Sequence, residues 1–231
     1  MKDNNPKLKG TEIVDCIPQT DECPQKCPEC FYNGGRFFRS LDTPLMPTEE
    51  EINTKIIRVN SGNDSNNQKK LVVEKTIDFP RKFYNTSIPK FNLPGPVVFT
   101  CNGGKSGKLK LVEDIGNLMF VRVRTNSWDK ETTKKAIDYY LNKDVPVVLT
   151  FMRYYNGDLI PEEFKKDYKW EKHILNEYYC IKQEAIIKIM EEYKGTGVRM
   201  CGTPYNSTCI DCCNCELFIL SNQYCPATLC L

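Results

Sequence analysis

The stretch Leu118-Met119-Phe120-Val121-Arg122-Val123-Arg124-Thr125 is typical of a β-strand, because β-branched and apolar residues dominate it and alternate with arginine toward its end. Six similar runs lie on either side of it: Thr11–Ile17, Lys55–Asn60, Lys82–Ile88, Val97–Cys101, Val145–Tyr154 and Gly197–Cys201. Helical stretches or long connections separate these runs. The pattern therefore predicts an α/β fold with a parallel sheet.

Three helices are predicted between the strands. Thr48-Glu49-Glu50-Glu51 has the sequence of a capping box and begins the first helix. Lys130–Asn142 forms the second, and about Asn176–Lys194, which stops at Gly195, forms the longest. Their apolar residues recur at helical spacing, so we expect these faces to belong to the core.

Composition favours one main domain and indicates no highly charged partner. The chain has 231 residues, with 32 Lys and Arg against 30 Asp and Glu. A net charge of +2 provides no electrostatic argument for binding to nucleic acid or to an anionic membrane. No run approaches the roughly 20 apolar residues of a spanning helix, and no secretory signal is visible. We therefore expect a cytoplasmic protein with a core of residues 1–200 and a cysteine-rich extension of residues 201–231.

The chain contains 13 cysteines, which is a high and odd number. In a reducing compartment such cysteines more often bind a metal or an iron–sulfur cluster than form disulfides. A secreted disulfide scaffold is the less favoured interpretation. Seven of the cysteines lie in the extension, at positions 201, 209, 212, 213, 215, 225 and 230.

Three of the remaining cysteines form the motif CxxxCxxC, in Cys23-Pro24-Gln25-Lys26-Cys27-Pro28-Glu29-Cys30. Three thiolates at this spacing can hold a 4Fe-4S cluster through three of its irons. The fourth iron then stays open to a small molecule. A zinc site is the alternative, but it would need a fourth ligand that is distant in the sequence.

A CxxxCxxC loop directly after the first predicted strand resembles that of radical S-adenosylmethionine (SAM) enzymes. The resemblance implies a partial parallel (β/α)6 TIM-like barrel with a small C-terminal cysteine-rich extension. It also implies that SAM binds the open iron and is cleaved to a 5′-deoxyadenosyl radical, which abstracts hydrogen from a substrate. A low-potential electron donor, flavodoxin or ferredoxin, would be the partner. At the position of Glu29 the family commonly has an aromatic or apolar residue. Phe31 or Tyr32 could fill that role instead.

The same resemblance suggests SAM-binding residues on the second and fifth strands. The family holds the SAM amine with a small-residue turn after the second strand, which corresponds here to Ser61, Gly62, Asn63 and Asp64. In a barrel, alternation directs Met119, Val121 and Val123 toward the helices and Arg122 and Arg124 toward the lumen. One of these arginines would contact the SAM carboxylate or an anionic substrate, and a structural ion pair is the alternative. Arg58 and Asn60 are weaker candidates of the same kind.

The extension contains a second motif, CxxCxxC, formed by Cys209, Cys212 and Cys215. This spacing is typical of a 4Fe-4S cluster and is also compatible with structural zinc. The fourth ligand would be Cys201, or else Cys225 or Cys230. We therefore predict a second 4Fe-4S cluster or a zinc ion here.

Together these observations predict a radical SAM enzyme that acts on an unidentified substrate. Cys101 and Tyr154, at strand ends, are weak candidates for hydrogen donation or relay, and a packed side chain is the alternative for each. The alternative function is a non-catalytic zinc or iron–sulfur module in nucleic-acid or protein interaction.

Overall fold

The computed structural model describes residues 5–27, 30, 35, 37–101, 109–172, 177–206 and 208–224. Its strands are β1 (Ile13–Cys16), β2 (Ile56–Val59), β3 (Lys82–Thr86), β4 (Val97–Cys101), β5 (Leu118–Thr125), β6 (Val147–Phe151), β7 (Arg153–Tyr154), β8 (Tyr168–Lys172), β9 (Glu177–Ile181) and β10 (Arg199–Met200). Its α-helices are α1 (Glu49–Thr54), α2 (Lys69–Thr76), α3 (Lys130–Leu141), α4 (Gln183–Glu191), α5 (Cys209–Cys212) and α6 (Asn214–Tyr224).

A seven-stranded parallel sheet forms the centre of the molecule. Its strand order is β1-β2-β3-β4-β5-β6-β10, and every neighbouring pair is parallel. Each of the seven predicted strand regions contains one of these strands, so the expected α/β fold with a parallel sheet is confirmed. The sheet curls into a half-barrel with helices packed against it.

The convex face of the sheet carries the larger part of the core. Alternate strand residues such as Ile57, Tyr84, Val121 and Leu149 pack there with the helices. Buried residues of α3 and α4 complete this layer. This is the helix layer that the alternation of apolar residues predicted.

The concave face has its own apolar cluster near the amino-terminal ends of the strands. Ile13, Ile56, Phe83, Val98, Phe120 and Val148 belong to it. Met119 joins this cluster as well, so its predicted place in the helix layer is wrong. The register between β4 and β5 shifts at Val97 and Val98, and this irregularity interrupts the alternation at the start of β5.

The C-terminal segment packs against the concave face. Ile219 and Cys215 of α6 are buried in its apolar cluster. The Phe218 ring lies 5.1 Å from the ring of Phe120, centroid to centroid. Cys215, Phe218 and Ile219 therefore share a core with the sheet, whereas Leu217 and Leu220 of the same helix are exposed.

The region between β6 and β10 differs most from the sequence prediction. The predicted helix from Asn176 to Lys194 is wrong in its first third, because Glu177–Ile181 is strand β9 and the helix starts at Gln183. Strand β9 lies between β7 and β8 in a small antiparallel sheet. The predicted strand Val145–Tyr154 is likewise divided between β6 and β7. Among the described residues, no helix is both long enough and apolar enough to span a membrane.

The capping box at the start of α1 is present as predicted. The Thr48 hydroxyl accepts a hydrogen bond from the Glu51 backbone N–H at 3.3 Å. The Glu51 carboxylate in turn accepts from the Thr48 backbone N–H at 2.7 Å. These bonds satisfy two backbone donors and define where the helix begins.

Candidate functional site

The loop with the first cysteine motif leaves β1 at the carboxyl-terminal edge of the sheet. Cys23, Cys27 and Cys30 are all partly exposed. The Cys30 backbone N–H donates to the Cys27 carbonyl at 3.0 Å. Glu29, Phe31 and Tyr32, which the family resemblance singled out, lie outside the described residues.

Side chains from this loop contact the turn that follows β2. Gln19 Nε2 donates to the carbonyls of Asp64 and Asn67, at 3.1 and 2.8 Å. Gln25 Nε2 donates to Asn67 Oδ1 at 3.3 Å, and Asn67 Nδ2 lies 3.4 Å from Cys23 Sγ. The two segments predicted to bind the cluster and SAM are therefore joined by hydrogen bonds.

Asp64 holds this turn in place from inside. Its side chain is buried, and its two carboxylate oxygens accept four hydrogen bonds. Oδ1 accepts from the Asn66 backbone N–H and the Thr86 hydroxyl, and Oδ2 from the backbone N–H and hydroxyl of Ser87. A carboxylate with four acceptor sites occupied in this way orders the turn relative to β3. In the same turn, Asn63 Oδ1 accepts from the Asp64 backbone N–H at 2.9 Å and from Asn67 Nδ2 at 3.3 Å.

We expect Asp64→Ala to lower the free energy of unfolding by about 3 kcal/mol, because buried donors lose a charged acceptor. Urea denaturation followed by circular dichroism measures this effect. The control is Asp138→Ala, which breaks only an exposed pair with Lys134 at 2.5 Å and should cost below about 0.5 kcal/mol. Equal effects of the two substitutions would contradict the role given to Asp64.

The surroundings of Cys23 disfavour its thiolate form. Burial raises the pKa of Cys23 to about 11, and the charges of Asp64, Cys30 and Cys27 add to this rise. Among the described residues, no three Cys, His, Asp or Glu side chains form a group that could hold a metal ion. This finding covers the described cysteines of both motifs.

A buried ion pair crosses the concave face between β1 and β2. Arg58 Nε donates to Asp15 Oδ1 at 2.6 Å, and Nη2 lies 3.3 Å from Oδ2. Burial alone would lower the pKa of Arg58, but the charge of Asp15 outweighs it and raises the pKa. Sequence reasoning missed Asp15, although its position on the same strand face as Ile13 was readable from alternation.

Arg122 and Arg124 of β5 occupy successive positions on the concave side. Arg122 Nη1 donates to Asn85 Oδ1 at 2.8 Å, and Nη2 lies 3.4 Å from Cys215 Sγ. Its guanidinium carbon also lies 5.5 Å from the centre of the Phe120 ring. Arg122 therefore faces the C-terminal cysteines, whereas Arg124 pairs in register with Thr150, one step nearer the carboxyl ends of the strands.

Four C-terminal cysteines predicted as ligands line one cavity on the concave face: Cys201, Cys209, Cys212 and Cys215. Cys201 follows β10, and α5 and the start of α6 carry the other three. The Cys212 thiol donates to the Cys209 carbonyl at 3.6 Å. Its interaction with the Cys201 thiol lowers the pKa of Cys201 and raises that of Cys212. Cys225 and Cys230, the alternative fourth ligands, lie outside the described residues.

The two weak candidates for hydrogen transfer are packed in the core. Cys101 is fully buried in the convex-face cluster, with its thiol 3.0 Å from the Lys110 carbonyl. Tyr154 is buried among aromatic rings, with its ring centroid 5.4 Å from that of Trp128. The alternative of a packed side chain therefore describes both residues.

Cys101 is expected to resist alkylation in the folded protein. Burial raises its pKa to about 12, so at pH 8 only about one thiol in ten thousand is the reactive thiolate. Iodoacetamide at pH 8, followed by peptide mass spectrometry, should leave Cys101 unmodified and label the exposed Cys213. Labelling of Cys101 at the rate of Cys213 would contradict this buried placement.

Comparison with known proteins identified no relative of this chain. No protein-family model, no curated protein and no solved structure matches the chain significantly.

Proposed function

We propose that this protein is a radical SAM enzyme whose cluster is held by Cys23, Cys27 and Cys30. One observation carries the proposal, namely the contact between the cysteine loop after β1 and the turn after β2. Asn67 Nδ2 lies 3.4 Å from Cys23 Sγ, and Gln19 and Gln25 bridge the same two segments. A cluster on one segment would thus lie beside a SAM-binding turn on the other.

Each part of the chain has a defined task in this proposal. The three thiolates hold the cluster and leave one iron open, and the cluster and SAM together supply a 5′-deoxyadenosyl radical when bound. Ser61, Gly62 and Asn63 are the SAM contacts, and Asp64 orders their turn through its four hydrogen bonds. Arg124 is the arginine that would contact an anionic group at the mouth of the half-barrel, because it lies one step nearer the carboxyl ends of the strands than Arg122. We take the half-barrel to be of the (β/α)6 TIM-like type.

The proposal includes partners and a second metal centre. The cluster needs one electron at low potential, so flavodoxin or ferredoxin is the expected donor. Cys201, Cys209, Cys212 and Cys215 would bind a second 4Fe-4S cluster or a zinc ion. The number of cysteines suits a reducing compartment such as the cytoplasm. The substrate is a molecule from which a hydrogen atom is abstracted, and its class is not assigned.

The deciding experiment is anaerobic reconstitution with iron and sulfide, followed by reduction and an assay for 5′-deoxyadenosine. The proposal is supported if the unsubstituted protein forms this product and the Cys27→Ala variant does not. A colourless protein that retains zinc and no iron would favour the alternative, a non-catalytic zinc module in nucleic-acid or protein interaction.

A further inference from the structure

The cavity that contains the C-terminal cysteines has two arginines on its opposite side. Arg58 comes from β2 and Arg122 from β5, and both line the cavity together with Cys201, Cys209, Cys212 and Cys215. The cysteines come from the segment that packs on the concave face, and the arginines come from the sheet itself. The site is therefore assembled by tertiary packing.

Each arginine contacts one sulfur atom. Arg122 Nη2 lies 3.4 Å from Cys215 Sγ, and Arg58 Nη1 lies 3.9 Å from Cys209 Sγ. The sheet thus offers positive charge to two sulfur atoms of the C-terminal segment.

The two arginines differ in how much of their charge is already balanced. Arg58 forms a buried ion pair with Asp15, at 2.6 Å between Nε and Oδ1. The contacts of Arg122 within the described residues are the neutral amide of Asn85, the Cys215 thiol and the Phe120 ring. Of the two arginines, Arg122 therefore has the charge that no carboxylate of the described residues balances, and the Lys7 ammonium is a third positive charge near Cys201 and Cys209.

A metal centre at this site would need such a charge. Four thiolates around one zinc ion, or around a 4Fe-4S cluster in its +2 state, have a net charge of about −2. A buried anion of this kind is costly unless a cation pairs with it. An arginine N–H that donates to a ligand sulfur is an outer-shell contact of the type that orients and stabilises metal ligands.

We propose that Arg122 is the positioning residue and counter-charge of a metal centre bound by Cys201, Cys209, Cys212 and Cys215. A bound Zn²⁺ would be held by the four sulfur atoms as thiolates, and the thiol protons would pass to solvent. This inference rests on the metal-binding part of the proposed function and is independent of SAM cleavage. In this proposal Arg122 belongs to the C-terminal site, whereas the sequence alone made it a candidate for the SAM site.

The test uses the full chain with Cys23, Cys27 and Cys30 all changed to Ala, so that the C-terminal cysteines supply the binding site. Anaerobic titration with Zn²⁺ against a chelating dye measures the affinity. Arg122→Gln should weaken zinc binding by roughly 10- to 100-fold, the usual effect of losing an outer-shell partner. Arg122→Lys, which restores the charge, should recover part of the loss. Arg199→Gln is the control, because Arg199 is exposed and lies two residues before Cys201.

Circular dichroism and thermal unfolding of each variant establish that it is folded, so a loss of metal is not mistaken for a loss of structure. Unchanged zinc affinity in a folded Arg122→Gln variant overturns the role of Arg122. Absence of zinc binding by the unsubstituted C-terminal site overturns the metal centre itself. Both results leave SAM cleavage by the first motif as a separate question, which 5′-deoxyadenosine formation answers.

Discussion

Reconstituted and dithionite-reduced protein is expected to convert SAM to methionine and 5′-deoxyadenosine, and the Cys27→Ala variant is expected to form neither above background. The physical reason is that two thiolates cannot hold the cluster at the positions where three are required. Liquid chromatography of the quenched reaction measures 5′-deoxyadenosine directly. We expect the loss to be complete, which makes this the largest effect predicted for the protein.

Cys213→Ala provides a matched cysteine control for this experiment. Cys213 is exposed, and its thiol donates to the Ile210 carbonyl at 2.9 Å. We expect this variant to form 5′-deoxyadenosine at the rate of the unsubstituted protein. A protein that binds a full 4Fe-4S cluster, accepts an electron and still leaves SAM intact would refute the proposed activity.

Asp15→Ala is expected to destabilise the fold by about 3–5 kcal/mol, because it leaves the Arg58 guanidinium buried without its carboxylate. The two side chains are only 3% and 6% exposed, for Asp15 and Arg58 respectively, and they join the first two strands of the sheet. The free energy of unfolding in urea, measured in the presence of a thiol reductant, reports the loss. Replacement of both residues by apolar ones, Asp15→Leu with Arg58→Met, should cost much less than Asp15→Ala alone.

The control is an exposed ion pair between residues that come directly before β1 and β2. Lys55 Nζ lies 2.8 Å from Glu12 Oε2, with the side chains 31% and 65% exposed. Glu12→Ala should change the free energy of unfolding by no more than about 1 kcal/mol, as is usual for exposed pairs. If Asp15→Ala had an equally small effect, the buried pair would not stabilise the junction of β1 and β2.

The strands of the central sheet were predictable because each one is a local pattern of apolar and β-branched residues. The small antiparallel sheet was not predictable in the same way. Glu177–Ile181 carries apolar residues that fit a helix or a strand, and its pairing with Tyr168–Lys172 decides in favour of the strand. Propensity in a short apolar run is a weak signal, and hydrogen bonds to neighbouring strands overrule it.

The candidate site, like the fold, was predictable from the sequence only in part. The spacing of Cys23, Cys27 and Cys30 was readable from the sequence, and so was the turn at Ser61–Asp64. Their contact through Asn67, Gln19 and Gln25 was not readable, because these polar residues follow no periodic pattern. Asp64 was predicted as a ligand contact, and in the fold its carboxylate is occupied by Asn66, Thr86 and Ser87.

Spacing and periodicity, which act within a few residues, were enough to determine the parallel α/β sheet, both cysteine motifs and the concave side of Arg122. Tertiary structure decided which other residues they contact. The register shift between β4 and β5 placed Met119 on the concave face, and the packing of Phe218 and Ile219 brought Cys215 to Arg122. Contacts between residues about ninety positions apart depend on how whole surfaces fit together, and a local pattern carries no information about that fit.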